Sequence, residues 1–200
     1  MTLRRLAEYL CLLTKLSKNK YPRISSSQLA KMMGLKSSQL RQDFHHFGGF
    51  GRPGHPYDTA YLEEELKKIY GLDKDLNALI IGATAMAEVL LQNPLLRELN
   101  ISFQAIVDFD KDLYGTKFQG FEVQPPEKIG ELLERHPVQI GIICTEQAEA
   151  ALKLLVDNGI CAIWNPTCNH LRPQEGCIIH NENISAGLLT LVYNYNRQNQ

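Results

Sequence analysis

The spacing of apolar residues changes once along this chain, at Gly71, and this change constrains the fold more than any other feature. Before it, leucines recur every three or four residues from Leu3 to Leu16, the spacing of a helix that buries one face. After it, short apolar runs, such as residues 78–81 and 140–143, alternate with helical segments. Strands that alternate with helices predict a doubly wound parallel sheet. We therefore predict an α/β chain with a small helical domain first and the sheet second.

The first seventy residues have the pattern of a winged helix-turn-helix domain. A helix from Leu3 is followed by a short helix that serines 25–27 can cap, a turn at Gly34, and a third helix that Ser37 or Ser38 can cap. Residues 48–57 then contain four glycines and two prolines, which exclude helix and suit a hairpin, or wing. In this motif the last helix can enter the major groove of DNA.

The charge is divided unevenly between the two halves. Residues 1–56 hold ten Lys or Arg and two acids, a net of +8, whereas residues 57–200 carry −9, so that the whole chain is −1. A basic segment joined to an acidic one predicts a nucleic-acid partner for the first, although a solvated basic face would have the same composition. The candidate DNA contacts on the third helix and the wing are Ser37, Ser38, Gln39, Arg41, Gln42, His45, Gly51, Arg52 and Tyr57.

The first strand of the predicted sheet leads into residues 82–87, where a dinucleotide fingerprint G-x-G-x-x-G/A belongs. Gly82 and Ala87 match its first and third positions, but Thr84 replaces the second glycine, which lets backbone approach a pyrophosphate. A β-branched side chain there should crowd the phosphate. Asp108 ends the next strand, where an acid binds ribose and favours NAD over NADP. These residues leave two alternatives open: a dinucleotide site, or a sheet kept only as a scaffold.

The chain shows neither a metal site nor catalytic machinery. Five candidate ligands near the C-terminus lack the spacing of zinc sites: Cys161, Cys168, His170, Cys177 and His180. Cys144 follows a strand and is either a reactive thiol or a small buried residue. Five scattered cysteines, with no signal peptide, favour a reducing cytoplasm. Without a Ser/His/Asp arrangement, paired carboxylates or a P-loop, we predict that the protein is not an enzyme.

Several stretches of the sequence occur together in one known family. The most specific are residues 39–44, which read QLRQDF, and residues 47–54, which read FGGFGRPG. The second half adds residues 81–83, 108–110 and 164–165, which read IGA, DFD and WN. Over nearly its whole length, the chain resembles the Rex family of redox-sensing transcriptional repressors.

This resemblance implies a homodimer with a winged-helix domain at 1–72, a Rossmann-type domain at 73–182, and a helix at 183–200 that is exchanged between subunits. It implies binding to palindromic operators when NADH is scarce and release when NADH binds, with the cofactor sensed and not turned over. The cofactor contacts that it implies are Gly82, Ala83, Thr84, Ala85, Met86, Ala87, Asp108, Phe109, Cys144 and Asn165.

The sequence also departs from the family pattern. Gln42 and Pro53 stand where the family has basic residues, and each lost cation weakens binding to DNA phosphates. On the cofactor side Thr84 replaces a glycine, Cys144 a proline and Asn183 an aspartate. Two alternatives therefore remain: a paralogue that no longer senses NADH, and a small NAD-dependent oxidoreductase, which would leave the basic winged half unexplained.

Overall fold

The computed structural model describes residues 3–18, 21–51 and 54–198. The chain forms two compact units. The first comprises Met1–Lys74 and Arg97–Asn100, and the second comprises Asp75–Leu96 and Ile101–Gln200.

The first unit is a helix-turn-helix with a short two-stranded sheet. Its elements are α1 (Leu3–Lys18), β1 (Arg23–Ile24), α2 (Ser26–Met32), α3 (Ser37–His46), β2 (Tyr57–Asp58) and α4 (Thr59–Ile69). The strands pair antiparallel, with Ile24 opposite Tyr57, and so form the base of the predicted wing. The core consists of leucines and aromatic rings on the inner faces of the helices: Leu6, Tyr9, Leu13, Leu29, Leu40, Phe44, Leu62 and Leu66.

The two helices of the helix-turn-helix begin differently. Ser25 caps α2, because its hydroxyl accepts a hydrogen bond from the Gln28 amide at 3.2 Å while the Gln28 side chain accepts one from the Ser25 amide at 2.9 Å. At α3 the cap is Lys36, whose side chain makes no capping bond. The prediction that Ser37 or Ser38 caps this helix is wrong. The helix begins at Ser37, so both serines lie inside its first turn.

A buried carboxylate fixes α3 against α1. Asp43 is 1% exposed and accepts hydrogen bonds from the Arg5 guanidinium at 2.6 and 2.9 Å, from the Tyr9 hydroxyl at 2.8 Å and from the Gln39 amide at 2.9 Å. Burial alone would raise the pKa of Asp43, but these hydrogen bonds outweigh it and hold the pKa below its usual range. The ionised form therefore ties the two helices together.

The second unit is a seven-stranded sheet in the order β5-β6-β4-β3-β7-β8-β9. The strands are β3 (Leu76–Ile81), β4 (Ile101–Val107), β5 (Lys117–Phe118), β6 (Phe121–Gln124), β7 (Ile140–Ile143), β8 (Ala162–Asn165) and β9 (Ile178–Asn181). The helices along this part of the chain are α5 (Ala85–Leu91), α6 (Pro94–Glu98), α7 (Ile129–Arg135), α8 (Ala148–Asp157) and α9 (Ile184–Gln198). The last two residues of α6 belong to the first unit. Neighbouring strands are parallel except β5 and β6, so the predicted doubly wound sheet is confirmed.

The order in which strands are added to the sheet reverses beside the central strand, β3. The chain passes from β3 to β4 on one side and later returns to β7 on the other. The crevice beyond the carboxyl ends of β3 and β7 is therefore the switch point where such sheets bind ligands. The β5–β6 hairpin was not predicted, because both strands are short. Its turn also places Gln119 at a φ of 49°, a left-handed conformation that a glycine or asparagine at this position would have indicated.

The C-terminal helix α9 exposes its apolar stripe. Each of its residues is exposed, with Leu188 at 63%, Leu189 at 67% and Val192 at 46%. The helix therefore does not bury this stripe against its own domain. Within the described residues, no helix is both long and apolar enough to cross a membrane.

We expect Asp43→Asn to destabilise the first unit by about 2 kcal/mol at pH 7, because the charge-assisted bond from Arg5 is lost. Since the pKa of Asp43 is lower in the folded chain, its contribution is complete above the unfolded value of about 4 and is lost as the pH falls through the folded value. Urea unfolding followed by circular dichroism at neutral and acidic pH measures both effects.

The exposed Asp73, substituted by Asn, is the matched control. Fluorescence of Trp164, the single tryptophan, reports separately on the second unit. Equal stability of Asp43→Asn and the parent at pH 7 would contradict the structural role of this carboxylate.

Candidate nucleic-acid interface and nucleotide crevice

A cleft of about 620 Å³ lies among the start of α2, one face of α3 and the wing. Its lining combines hydroxyl, guanidinium, imidazole and glycine backbone groups, which are donors suited to phosphate. The lining residues are Ser25, Ser26, Ser27, Arg41, Phe44, His45, Gly49, Phe50, Gly51, Gly54, His55, Pro56 and Tyr57.

One face of α3 is exposed along its whole length. Ser38, Arg41, Gln42 and His45 occur at helical spacing and are all exposed. The Arg41 guanidinium donates a hydrogen bond to the Ser26 hydroxyl at 3.3 Å, which links the middle of α3 to the start of α2. This face can therefore present a cation and three polar side chains to a groove of DNA.

Aromatic rings attach the wing to α3. Phe44 packs edge-to-face with Phe50 at 5.5 Å and with Tyr57 at 5.4 Å between ring centroids. Gly51 has a φ of 141°, and a Cβ there would lie 3.1 Å from the Tyr57 ring, so a side chain at Gly51 would push this ring away. Burial raises the pKa of Tyr57, and the nearby Arg41 charge partly offsets that increase.

The remaining predicted DNA contacts lie in different environments. Ser37 and Gln39 are half-buried, and the Gln39 amide is bonded to Asp43, so Gln39 braces the helix. Arg52 lies outside the described residues. Sequence reasoning missed Ser26 and His55 as parts of the cleft, because the serine run 25–27 signalled only a helix cap.

Gly82 fixes the loop at the nucleotide crevice. It is buried at the end of β3 with a φ of 109°, and a Cβ there would lie 2.8 Å from both the Cys144 carbonyl carbon and the Thr145 nitrogen. Glycine alone permits this approach. The loop after β3 is thereby held against the residues that follow β7, at the switch point of the sheet.

Thr84 points toward β7 and away from the start of α5. It is the N-cap of α5, yet its hydroxyl donates a hydrogen bond to the Cys144 carbonyl at 2.8 Å and makes no capping bond. The amide groups of the first turn of α5 are consequently not used by this side chain. The replacement of glycine thus adds a link between the loop and β7.

Asp108 stands beside the same loop, at the end of β4. It is 8% exposed, and its carboxylate accepts hydrogen bonds from the Ala83 amide at 2.6 Å and the Asp110 amide at 2.9 Å. Each oxygen keeps a further lone pair for a hydroxyl donor. The neighbouring Phe109 packs against the core.

The other predicted cofactor residues differ in accessibility. Ala87 is fully buried, Met86 is half-buried and Ala85 is exposed. Burial raises the pKa of the Cys144 thiol to about 12, so this residue stays protonated at neutral pH and the interpretation as a small buried residue is favoured. Asn165 is fully buried.

The Asn165 side chain organises the loop after β8. Its amide donates to the Asn169 carbonyl at 2.6 Å and to the Asn181 side chain at 2.8 Å, and its oxygen accepts from the Thr167 hydroxyl at 2.7 Å. These bonds use its donors and its acceptor internally. Asn165 therefore shapes the crevice wall through its neighbours.

Comparisons with known proteins agree with both halves of this description. The family model "Putative DNA-binding protein N-terminus" matches residues 1–45, and the model "CoA binding domain" matches residues 73–168. The redox-sensing transcriptional repressor Rex of Caldanaerobacter subterraneus subsp. tengcongensis is 35% identical over 198 residues, covering 98% of this chain and 88% of that protein. Rex of Clostridium botulinum strain Alaska E43 is 34% identical, covering 98% and 94%.

Solved structures give the same result. RSP in complex with beta-NAD+ and operator DNA has a TM-score of 0.84 at 35% identity, covering 98% of this chain and 92% of that one. RSP in complex with beta-NADH has a TM-score of 0.83 at 33% identity, covering 98% and 93%.

A winged helix-turn-helix followed by a Rossmann-type sheet with a loop at its switch point defines a class of protein: a transcriptional regulator with a nucleotide-binding domain. With the relatives above, the assignment becomes specific. The chain belongs to the Rex family of redox-sensing transcriptional repressors. It is a regulator and not an enzyme, as predicted.

We expect Gly82→Ala to destabilise the second unit by about 3 kcal/mol, because the new Cβ would clash with the peptide after Cys144 at a strained φ. Urea unfolding followed by Trp164 fluorescence measures this. Gly130→Ala, in α7 where a Cβ meets no atom within 4 Å, is the control and should be neutral or slightly stabilising. An unchanged unfolding midpoint for Gly82→Ala would contradict the close approach.

Proposed function

We propose that this protein is a cytoplasmic transcriptional repressor that binds operator DNA through α3 and the adjoining cleft, and releases it when NADH binds at the switch point. The observation that carries this proposal is that one chain combines an exposed polar face on α3 with a glycine-anchored loop at the β3–β7 crevice. The DNA and dinucleotide complexes of RSP, a relative of the same fold whose chain is covered to 92–93%, support it.

Operator binding follows from the geometry of α3. Arg41 can donate two parallel hydrogen bonds to a guanine edge or bind a phosphate, and Ser26 holds it over the cleft. The hydroxyl groups of Ser38 and the cleft serines supply phosphate contacts that fix the register of the helix. Gln42 adds no charge, so much of the electrostatic affinity of α3 rests on Arg41.

A homodimer follows from the exposed stripe of α9. Leu188, Leu189 and Val192 are too apolar to remain in water, and we infer that a second copy of the chain covers them through an exchange of this helix. Two copies related by a two-fold axis would place two α3 helices on the half-sites of a palindromic operator.

The residues of the crevice fit NADH. Gly82 makes the tight turn that sets the loop against the end of β7, the first turn of α5 offers amide groups that Thr84 does not use, and Asp108 can accept a hydrogen bond from a ribose hydroxyl. NADH would be a sensed ligand with no chemistry performed on it. For NADH to release DNA, NADH must have a higher affinity for the arrangement of the protein that does not bind the operator than for the arrangement that does.

The Thr84–Cys144 hydrogen bond favours a second candidate, a repressor of this family that no longer senses NADH. This bond crosses from the β3 loop to the end of β7, where a pyrophosphate would lie. Under this alternative the crevice opens only when the bond is removed.

We expect Arg41→Ala to weaken operator binding about 30-fold and to reduce the salt dependence of binding by about one ion, because one cation is lost from the interface. Fluorescence anisotropy with a duplex selected from a random pool by the parent protein measures both. Arg135→Ala, an exposed arginine of α7 in the other unit, is the control. Equal affinity of Arg41→Ala and the parent would contradict α3 as the reading helix.

We expect NADH to bind the full-length protein and to dissociate the same duplex, and Asp108→Asn to bind NADH about 10-fold more weakly, because a charged acceptor for the ribose is lost. Isothermal titration calorimetry measures the affinity. Asp112→Asn, two residues past Asp110 on an exposed turn, should bind like the parent. No binding by the parent but binding by Thr84→Gly would overturn this proposal in favour of the second candidate.

A further inference from the structure

Two cysteines lie side by side at the start of β8 and β9. Ala162 pairs with Ile178, and the Ile178 amide donates to the Cys161 carbonyl at 2.7 Å, so Cys161 and Cys177 occupy the preceding paired position. Paired residues of neighbouring strands are about 4.8 Å apart and point to the same face. That separation lies within the range of roughly 4.4–6.8 Å between the Cα atoms of a disulfide.

The two thiols interact directly. A hydrogen bond with the Cys161 thiol, together with burial, raises the pKa of Cys177. Both residues are half-buried, so a small solute can reach them, whereas Cys144 is buried. They also lie at the amino ends of their strands, the opposite edge of the sheet from the nucleotide crevice, so the pair is separate from the proposed NADH site.

We propose that Cys161 and Cys177 are an oxidation site that forms a reversible intramolecular disulfide with a peroxide. The Cys161 thiolate attacks the peroxide oxygen, which breaks the O–O bond, gives a sulfenic acid on Cys161 and releases water or an alcohol after protonation. The Cys177 sulfur then attacks the Cys161 sulfur and a second water leaves with the thiol proton. Two thiols lose two electrons, and one peroxide gains them.

The disulfide would secure the edge of the sheet that carries α9. β9 is the last strand in the sheet order and pairs with β8 through four residues. α9 begins at Ile184, three residues after β9 ends. A covalent bond at the start of β9 thus holds the strand from which the C-terminal helix departs, and a dithiol reductant removes that bond.

The test uses the reduced full-length protein treated with stoichiometric hydrogen peroxide, alkylated in denaturant and analysed by mass spectrometry. We expect an intact mass lower by about 2 Da before alkylation, as two hydrogens are lost. Two of the five cysteines should become unreactive, with a single peptide pair linking Cys161 to Cys177. Dithiothreitol should restore all five thiols.

Single substitutions assign the roles. Cys161→Ser and Cys177→Ser should each abolish the linked peptide, and Cys177→Ser should leave a sulfenic acid on Cys161 that dimedone traps. Cys168→Ser, at an exposed cysteine in the loop after β8, is the control and should keep the disulfide. The proposal is overturned if peroxide leaves both thiols free, if a link forms through Cys168, or if the only disulfide joins two chains.

Discussion

The second unit depends on the contact between Gly82 and the peptide that follows Cys144. Parallel strands bury their backbone on both faces, so the two central strands must end in register for a crevice to open between them. Gly82 permits this because it has no Cβ, and Thr84 and Asp108 then attach the loop on either side. The ligand crevice is therefore part of the packing of the sheet itself and would not survive independently of it.

In the first unit, the charged side chain of Asp43 positions the helix α3. α3 is only ten residues long and gains little stability alone, so its direction is set by Asp43 and by the Phe44 ring beneath the wing. Arg41 and Gln42 are exposed and directly precede the buried Asp43 and Phe44. The interactions that bury Asp43 and Phe44 therefore also turn Arg41 and Gln42 toward solvent. The exposed polar face of α3 is thus specified by the core.

Much of this could be predicted from the sequence, since apolar spacing and glycine positions determine the helix-turn-helix, the parallel sheet and the loop at 82–87. What could not be predicted depended on three-dimensional contacts. The direction of the Thr84 hydroxyl, the use of Asn165 as an internal scaffold and the contact of Ser26 with Arg41 each join residues far apart in the chain. The β5–β6 hairpin was missed because strands of two and four residues are too short to show a periodicity.

Because α9 is exposed, its helicity depends on whether another apolar surface packs against it. This helix has 15 residues and seven large apolar or aromatic side chains that are 46–67% exposed. A helix of that length is only marginally stable in water without tertiary packing. When a second copy covers this helix, as proposed, its helicity increases with protein concentration. Folding of the C-terminus and association then become one equilibrium, and the melting temperature falls on dilution.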